Sequence, residues 1–429
     1  MDDTADATPT GDPLLVPTQG DTGADTHDAG SADHAAPPAA GADSSPWRRF
    51  GPSRGALLAA VALIAVTIVA GIVISGPDDE PTSDNPIPLD AWMPYWTLDD
   101  VTESRMDRVG EMRDISPFWY GATGVEAIGL DPNVDVATAD EFMELLRSSG
   151  AEVVPSIVDA LPAGEMAAIL ADSDTRTRHV EAILEFAEEG DFDGIDLDYE
   201  QFAFADGSDT WATTRPNWVA FVEQLGDELH ASGRTLTVSI PPVYDDGRTS
   251  NSGFWVYDHG AIAAHVDRIR IMAYDFSVGE PGPIAPLDFV QRSVDGALEA
   301  GVPAEQVVLG VPIYGRNWPT GVSGDCPEGT ELDGVTSTNL RTIDDLVARR
   351  SGVPIFDPVT GESTFDYAIE FTDGETTCVQ SRTVHYVDAS GARLRMQIAV
   401  DEALGGASLW AFGFDDEQVW TELASVVDS

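Results

Sequence analysis

Apolar residues between positions 89 and 428 follow two alternating patterns. Short runs of β-branched and aromatic residues alternate with longer amphipathic runs, which is typical of βα units around a parallel sheet. The predicted strands are Asp90–Tyr95, Asp114–Trp119, Glu152–Ile157, Gly194–Tyr199, Thr235–Ile240, Arg268–Ala273, Val307–Pro312 and Ala407–Phe412. The predicted helices include Ala139–Ser149, Thr175–Glu189, Trp218–Ala231, Leu287–Ala300 and Arg393–Leu404. This alternation predicts an α/β fold in which residues 89–428 form a (β/α)8 TIM barrel.

One long segment interrupts the alternation between the seventh and eighth predicted strands. Residues 316–385 are too many for a simple connection, and they contain Gly-rich turns and alternating runs such as Ser363–Ile369. We therefore expect a small inserted α+β subdomain; a long loop without its own core is the alternative. Both cysteines of the chain, Cys326 and Cys378, lie in this segment. A disulfide between them is expected in an oxidising compartment, and two buried free thiols are the alternative.

A different pattern precedes the predicted barrel. The segment Gly55–Ser75 carries no charge, and about 20 apolar residues suffice for a helix to cross a bilayer. We predict a single transmembrane signal anchor at 55–75 and a linker at 76–88; a cleaved signal peptide is the alternative. Arginines just before the anchor place the N-terminus in the cytoplasm and the barrel outside the cell, at the cell membrane. Residues 1–47 hold many Asp and few apolar residues, which predicts a disordered acidic tail.

The chain is strongly acidic. It has 75 Asp and Glu residues against 22 basic residues, which gives a formal net charge of −53 at pH 7, and every basic residue is Arg. This charge excludes nucleic acid as a partner. Molar salt shortens the Debye length to roughly 3 Å and removes most of the self-repulsion, so the composition indicates adaptation to a salty environment. With two Cys and seven scattered His, no zinc site is expected, and no cofactor is predicted.

The predicted fourth strand carries the candidate chemistry. Side chains alternate along a strand, so Asp196, Asp198 and Glu200 share one face, with Ile195 and Leu197 on the other. A half-exposed strand is one interpretation, but barrel strands are covered on both faces. A calcium loop is another, but the Gly and Glu of the EF-hand pattern are missing. Glu200 is the candidate general acid, because crowded acids retain a proton and active sites form at the C-terminal ends of barrel strands.

The sequence resembles glycoside hydrolase family 18, the chitinase-like barrels, over roughly residues 89 to 428. The fourth strand of this family carries the pattern D-x-x-D-x-D-x-E, which Asp193, Asp196, Asp198 and Glu200 match in full. The segment Met272–Asp275 fits the sixth-strand signature of the family. Some members also carry an α+β insertion at the corresponding place. The resemblance therefore supports a polysaccharide-cleaving enzyme.

The resemblance implies a mechanism in which the substrate supplies its own nucleophile. Glu200 would protonate the leaving glycosidic oxygen and then activate water. Asp198 would orient the acetamido group of the substrate as its carbonyl oxygen attacks the anomeric carbon, and Asp196 would share a proton with Asp198. Tyr274 would hydrogen-bond the acetamido carbonyl, and Trp410 would stack under the sugar at the cleavage site.

Further residues are candidates for substrate binding. The family motifs also contain Asp193, Met272 and Asp275, which are expected to contact the sugar or shape its site. The aromatic residues at or just beyond predicted strand ends are candidate cleft residues, namely Trp96, Phe118, Trp119, Tyr120, Tyr244 and Tyr314. Packing within the barrel is the alternative role for these side chains.

The third strand departs from the usual chitinase pattern. Many members carry Ser-x-Gly-Gly there, whereas this chain reads Pro155–Asp159 as PSIVD. The run Ile115–Tyr120 and the stretch from Tyr386 to Trp410 look more like the spore-cortex and cell-wall N-acetylglucosaminidases. Together with the predicted membrane anchor, this favours cleavage of β-1,4 linkages in peptidoglycan. A chitinase or chitooligosaccharide hydrolase and a non-catalytic glycan-binding protein are the alternatives.

Overall fold

The computed structural model describes residues 87–101, 103–245 and 253–427. The strands are β1 (Leu89–Pro94), β2 (Asp114–Phe118), β3 (Tyr120–Ala122), β4 (Ile128–Leu130), β5 (Glu152–Val153), β6 (Ser156–Asp159), β7 (Gly194–Asp198), β8 (Thr235–Ile240), β9 (Arg268–Ile271), β10 (Val307–Pro312), β11 (Tyr314–Gly324), β12 (Thr336–Asn339), β13 (Ile355–Asp357), β14 (Glu362–Asp373), β15 (Thr376–Tyr386) and β16 (Gly406–Trp410). The α-helices are α1 (Glu103–Val109), α2 (Val136–Ser149), α3 (Glu165–Ala171), α4 (Ser173–Glu189), α5 (Gln201–Phe204), α6 (Trp211–Ala231), α7 (His259–Ile262), α8 (Leu287–Glu299), α9 (Leu340–Arg350), α10 (Ala389–Asp401) and α11 (Glu417–Val427).

The predicted tail, transmembrane anchor and most of the linker lie outside the described residues, so these predictions stay predictions. Within the three described ranges, every helix is too short or too polar to span a membrane.

The central sheet is parallel and curled. Its parallel strands are hydrogen-bonded in the order β6-β7-β8-β9-β10-β16-β1-β2-β5, and the β3–β4 hairpin pairs with β6. Only Trp119 separates β2 from β3, and only Val154 and Pro155 separate β5 from β6. Strand β2 pairs with β5 at one end of this order, and β3 pairs with β6 at the other end. The segments β2–β3 and β5–β6 therefore contribute to both ends of the sheet. The sheet therefore curls around its own interior.

Each predicted strand and helix is present, but several boundaries differ. The predicted third strand is split because Pro155 has no backbone N–H for a continuous ladder. The β3–β4 hairpin was not predicted. Helix α6 begins at Trp211, whereas the predicted helix begins after Pro216. The extra turns are anchored by the buried Trp211, whose indole N–H donates to the Ala203 carbonyl at 3.1 Å.

Strand β7, the predicted fourth strand, shows what each face of the curled sheet contacts. Ile195, Leu197 and Tyr199 are fully buried, and the Tyr199 ring stacks against Phe221 of helix α6. The opposite face therefore points into the interior of the curled sheet, as strand alternation requires. This orientation directs Asp196 and Asp198 inward.

The insertion forms a five-stranded antiparallel sheet in the order β12-β11-β15-β14-β13, with helix α9 beside it. The predicted disulfide is confirmed between Cys326 and Cys378. Glu362 at the start of β14 accepts backbone N–H groups of Ile284 and Ala285 and pairs with buried Arg395 of α10 at 3.2 Å. These bonds fasten the insertion to the segments around the central sheet.

Candidate active site

Asp196 lies at the centre of the interior, where four donors surround its carboxylate. Its oxygens accept hydrogen bonds from the indole N–H of Trp92 at 3.0 Å and from the hydroxyls of Ser156 and Ser239, both at 2.6 Å. Arg270 Nη1 lies 3.2 Å from the same carboxylate. Burying a carboxylate without partners is costly, so these donors offset the cost of placing Asp196 in the interior.

Arg270 connects Asp196 to the acids Asp90 and Asp114, which lie at the N-terminal ends of β1 and β2. Its fully buried guanidinium pairs with Asp114, donates to the Ser116 hydroxyl at 2.6 Å and lies 3.7 Å from Asp90. The guanidinium also lies over the Trp92 ring, 5.1 Å from its centroid. One cation thus neutralises part of the charge of three buried carboxylates, including Asp196.

Asp198 and Glu200 occupy the next positions toward the C-terminal edge of the sheet. Burial, then the charges of Glu200, Asp196 and Asp159, raises the pKa of Asp198 well above its usual range. Burial, followed by the charges of Asp159 and Asp275, raises the pKa of Glu200 to about 8. Glu200 therefore carries a proton at neutral pH, which a general acid requires.

An aromatic floor lies beside these acids. The Trp410 ring is 8% exposed and meets the edges of Phe118 at 5.2 Å, Trp92 at 5.7 Å and Trp96 at 6.4 Å. Tyr274 stacks on the same indole at 6.3 Å. The indole is thereby fixed in one plane against which a sugar ring can pack.

Several polar atoms of the site are buried without a hydrogen-bond partner. Within the described residues, they include the Tyr274 hydroxyl and Asp198 Oδ1, which lie beside the acids. The charges of Asp198 and Glu200 both act on Tyr274, after burial and the charge of Tyr314, to raise its pKa. Since buried polar groups are normally paired, these two atoms mark a place for a polar ligand group.

Asp275 is held where the insertion meets the central sheet. Its carboxylate accepts a hydrogen bond from the Tyr314 hydroxyl and pairs with Arg316 Nη2 at 2.7 Å. Both partners come from β11, the first strand of the insertion. Asp275 is about one-third exposed, so it keeps a polar edge that a sugar hydroxyl can reach.

The structure does not bring every predicted residue to this site. Asp193 is exposed at the N-terminal end of β7, where its carboxylate accepts the Val153 N–H at 2.8 Å. Strand alternation does not apply there, because Asp193 precedes the strand. Its predicted role in substrate binding is therefore not supported, and a structural role replaces it.

Several aromatic candidates also pack away from the acids. Tyr120 directs its ring at Phe186 and Phe192, at 4.9 and 6.1 Å. The Tyr244 ring meets Phe289 of α8 at 5.5 Å. These two residues have packing contacts, whereas Phe118 belongs to the floor. The remaining candidates are Trp119, which is buried, and Met272, which is half-buried just after β9.

The sequence analysis missed several residues of the site, among them the charged residues Asp159, Arg270 and Arg316. Asp159 was noted only as part of a departure from a family motif. A signal was available for Arg270, because a charged residue inside a predicted barrel strand must find a buried partner. Asp159 lies two positions beyond the end of the predicted third strand, so this signal did not reach it. Arg316 gave no comparable signal, since its partner Asp275 is distant in sequence.

The fold and the site together are typical of carbohydrate-cleaving enzymes, in which acids at strand ends lie beside an aromatic ring. Residues 131–415 match the family model of the glycosyl hydrolases family 18, and the chain belongs to this family. The predicted family is thus confirmed.

Relatives come from two groups. A sporulation-specific glycosylase, YdhD of Bacillus subtilis, is 34% identical over 35% of this chain and 33% of its own length. Probable chitinase 2 of Drosophila melanogaster is 28% identical over 58% of this chain and 52% of its own. The chain thus spans about a third to a half of the length of these curated relatives.

Solved structures show the same fold. A chitinase from Chromobacterium violaceum matches 80% of this chain and 99% of its own with a TM-score of 0.63 at 22% identity. The spore cortex-lytic enzyme SleL of Bacillus megaterium matches 80% of this chain and 75% of its own with a TM-score of 0.62 at 14% identity.

Proposed function

We propose that the protein is a retaining glycosidase that hydrolyses β-1,4 linkages of a glycan containing N-acetylglucosamine, by substrate-assisted catalysis in a closed (β/α)8 barrel. The observation that carries this proposal is that the Tyr274 hydroxyl and Asp198 Oδ1 are both buried without a hydrogen-bond partner among the described residues. An acetamido group has one acceptor and one donor, which match these two atoms. Protonated Glu200 supplies the acid.

In the first step, Glu200 donates its proton to the glycosidic oxygen, and the bond from the anomeric carbon to that oxygen breaks. The acetamido carbonyl oxygen forms a bond to the same carbon from the opposite face, which gives an oxazolinium ion. Asp198 shares its proton with Asp196, so negative charge develops on Asp198 beside the cation. The Tyr274 hydroxyl donates to the acetamido carbonyl and holds it for attack.

In the second step, the Glu200 carboxylate removes a proton from water. The water oxygen attacks the anomeric carbon, the acetamido carbonyl leaves, and Glu200 is protonated again. Two inversions give net retention. Because Glu200 has a pKa of about 8, the first step requires a pH below that value.

Replacing Tyr274 with Phe is expected to lower kcat by roughly ten- to a hundredfold, since one preorganised donor to the developing charge is lost. The ring still stacks on Trp410, so thermal stability should change little. Initial rates and melting curves would be measured for Y274F, with Y367F in the insertion as a control that also loses one hydroxyl. Wild-type turnover in Y274F would contradict the assigned role.

Peptidoglycan is the proposed substrate, with chitin oligosaccharides as the alternative. The glycosylase and cortex-lytic names among the relatives favour the first, and the chitinase names favour the second. The predicted anchor at 55–75 would hold the enzyme at the outer face of the cell membrane, next to the wall. A wall substrate needs no additional module to bring enzyme and glycan together.

Mass spectrometry of products tests this proposal. The full-length chain in detergent and high salt would be incubated separately with peptidoglycan and with chitin oligosaccharides, with E200Q as the blank. Fragments of peptidoglycan that end in reducing N-acetylglucosamine would support a wall hydrolase. Release from chitin oligosaccharides alone would favour a chitinase, and no products from either would favour a glycan-binding protein.

Salt is expected to stabilise the protein, because the net charge of −53 repels itself less as the Debye length shortens. The melting temperature should rise as NaCl is increased from about 0.1 M to molar concentrations. Differential scanning fluorimetry would measure it, with sorbitol at equal osmolarity as the control. A flat response would contradict adaptation to a salty environment.

A further inference from the structure

Asp159, the last residue of β6, holds the backbone that carries the general acid. Its Oδ1 accepts the N–H groups of Glu200 at 2.8 Å and Gln201 at 2.9 Å, and its Oδ2 accepts that of Phe202 at 3.1 Å. The side chain is 2% exposed. Hydrogen bonds from N–H groups to an ionised carboxylate are stronger than neutral ones.

The same turn is held from its other side by Tyr257. The Tyr257 hydroxyl donates to the Tyr199 carbonyl at 2.9 Å. The backbone carbonyl of Tyr257 accepts the Trp218 indole N–H, also at 2.9 Å. Tyr257 is fully buried. The peptide groups before and after the Glu200 α-carbon are therefore both fixed by side chains from other elements.

Outside support is needed because the turn is short. Helix α5 spans only Gln201–Phe204, and so short a helix is not stable by itself. Glu200 precedes it as the N-cap residue, yet its side chain makes no capping hydrogen bond. Its carboxyl is thereby left available for chemistry, while Asp159 supplies the acceptors that the helix start needs.

We propose that Asp159 is a positioning residue that fixes the Glu200 carboxyl at the scissile oxygen through the backbone of residues 200 to 202. This inference rests on the proposed function, in which Glu200 is the general acid. The charge of Asp159 acts on Glu200 as well. After burial, it raises the pKa of Glu200 more than the charge of Asp275 does. Among the described residues, the charge of Glu200 also raises the pKa of Asp198, Tyr257 and Tyr274, after burial in each case.

The variant D159N separates this role from simple packing. The amide keeps the shape and one acceptor oxygen, but its NH2 group would face the Phe202 N–H, donor against donor, and the charge is lost. A misplacement of about 1 Å can cost roughly a hundredfold in rate. We therefore expect kcat to fall about ten- to a hundredfold, with KM within about twofold of wild type.

The pH profile should move in a defined direction. Removing the negative charge of Asp159 lowers the pKa of Glu200, so the alkaline limb of kcat/KM should shift to lower pH. The matched control is D172N, since Asp172 also accepts two backbone N–H groups, at the start of α4. D172N should keep the wild-type kcat and pH profile. Y257F, which loses only the hydroxyl, should lower kcat as D159N does.

Two readouts do not depend on turnover. Amide hydrogen exchange of residues 200 to 202 should be slow in the wild type and at least about tenfold faster in D159N. Titration of ¹³C-labelled Glu200 should shift to lower pH in D159N. Fast exchange in the wild type, or unchanged exchange and titration in D159N, would overturn the positioning role.

The outcomes also separate this inference from the proposed function. If E200Q is inactive while D159N matches wild type in rate, exchange and titration, the function stands and the positioning role falls. If no glycan is cleaved by the wild type but exchange and titration change as expected, the positioning of Glu200 stands and the proposed function falls.

Discussion

Replacing Glu200 with Gln should lower kcat by roughly 10³-fold, while the dissociation constant for the glycan stays within about twofold of the wild-type value. The amide has nearly the same shape as the carboxylic acid, but it has no proton to give to the glycosidic oxygen. It also cannot remove a proton from water in the second step. Because both steps lose their acid or base, no other residue of the site compensates.

Single-turnover rates and isothermal titration calorimetry would measure the two quantities separately. The matched control is E185Q, since Glu185 is exposed on helix α4 and has no part in the site. E185Q should keep full activity. Residual turnover by E200Q within about tenfold of wild type would contradict the general-acid role.

Replacing Arg270 with Met should reduce the free energy of unfolding by about 3 to 5 kcal/mol, because the partner carboxylates would remain buried without their cation. Asp114 and Asp196 both contact the guanidinium, and Asp90 lies 3.7 Å away. Activity should fall too, since Asp196 loses one of its four donors. Chemical denaturation would measure the stability loss.

The loss should depend on pH in a defined direction. Burial, then the Asp114 charge, already raises the pKa of Asp90 to about 6. The positive charge of Arg270 lowers this pKa, so removing Arg270 raises the pKa of Asp90 further. A carboxyl whose folded pKa exceeds its unfolded value destabilises the fold as pH rises between the two values. The deficit of R270M should therefore be smaller at pH 4 than at pH 7.

The matched control is R178M, which breaks an exposed ion pair with Glu126. Exposed pairs contribute about 0 to 1 kcal/mol, so its stability should remain close to wild type at both pH values. Equal stabilities of R270M and wild type at pH 7 would refute the buried charge network.

The sequence alone determined the order of the predicted strands and helices and the family of the chain. Strand alternation placed Asp196 and Asp198 on one face, and the motif that includes Glu200 indicated the family. These inferences succeeded because they depend on local periodicity and on spacing within a single strand. One boundary failed because packing overrode a local rule, as at Pro216 inside α6. Another failed because the local rule for proline was not applied, as at Pro155, which splits the predicted third strand.

Only the tertiary structure decided which charges meet and what each side chain does there. Asp193 belongs to the motif but holds Val153 at the opposite end of the strand, whereas Asp159 lies 41 positions before Glu200 and accepts its backbone N–H. Arg270 reaches Asp114 across 156 positions. Side chains far apart in sequence become partners only when the sheet curls, because burial then forces each charge to find a counter-charge or a donor.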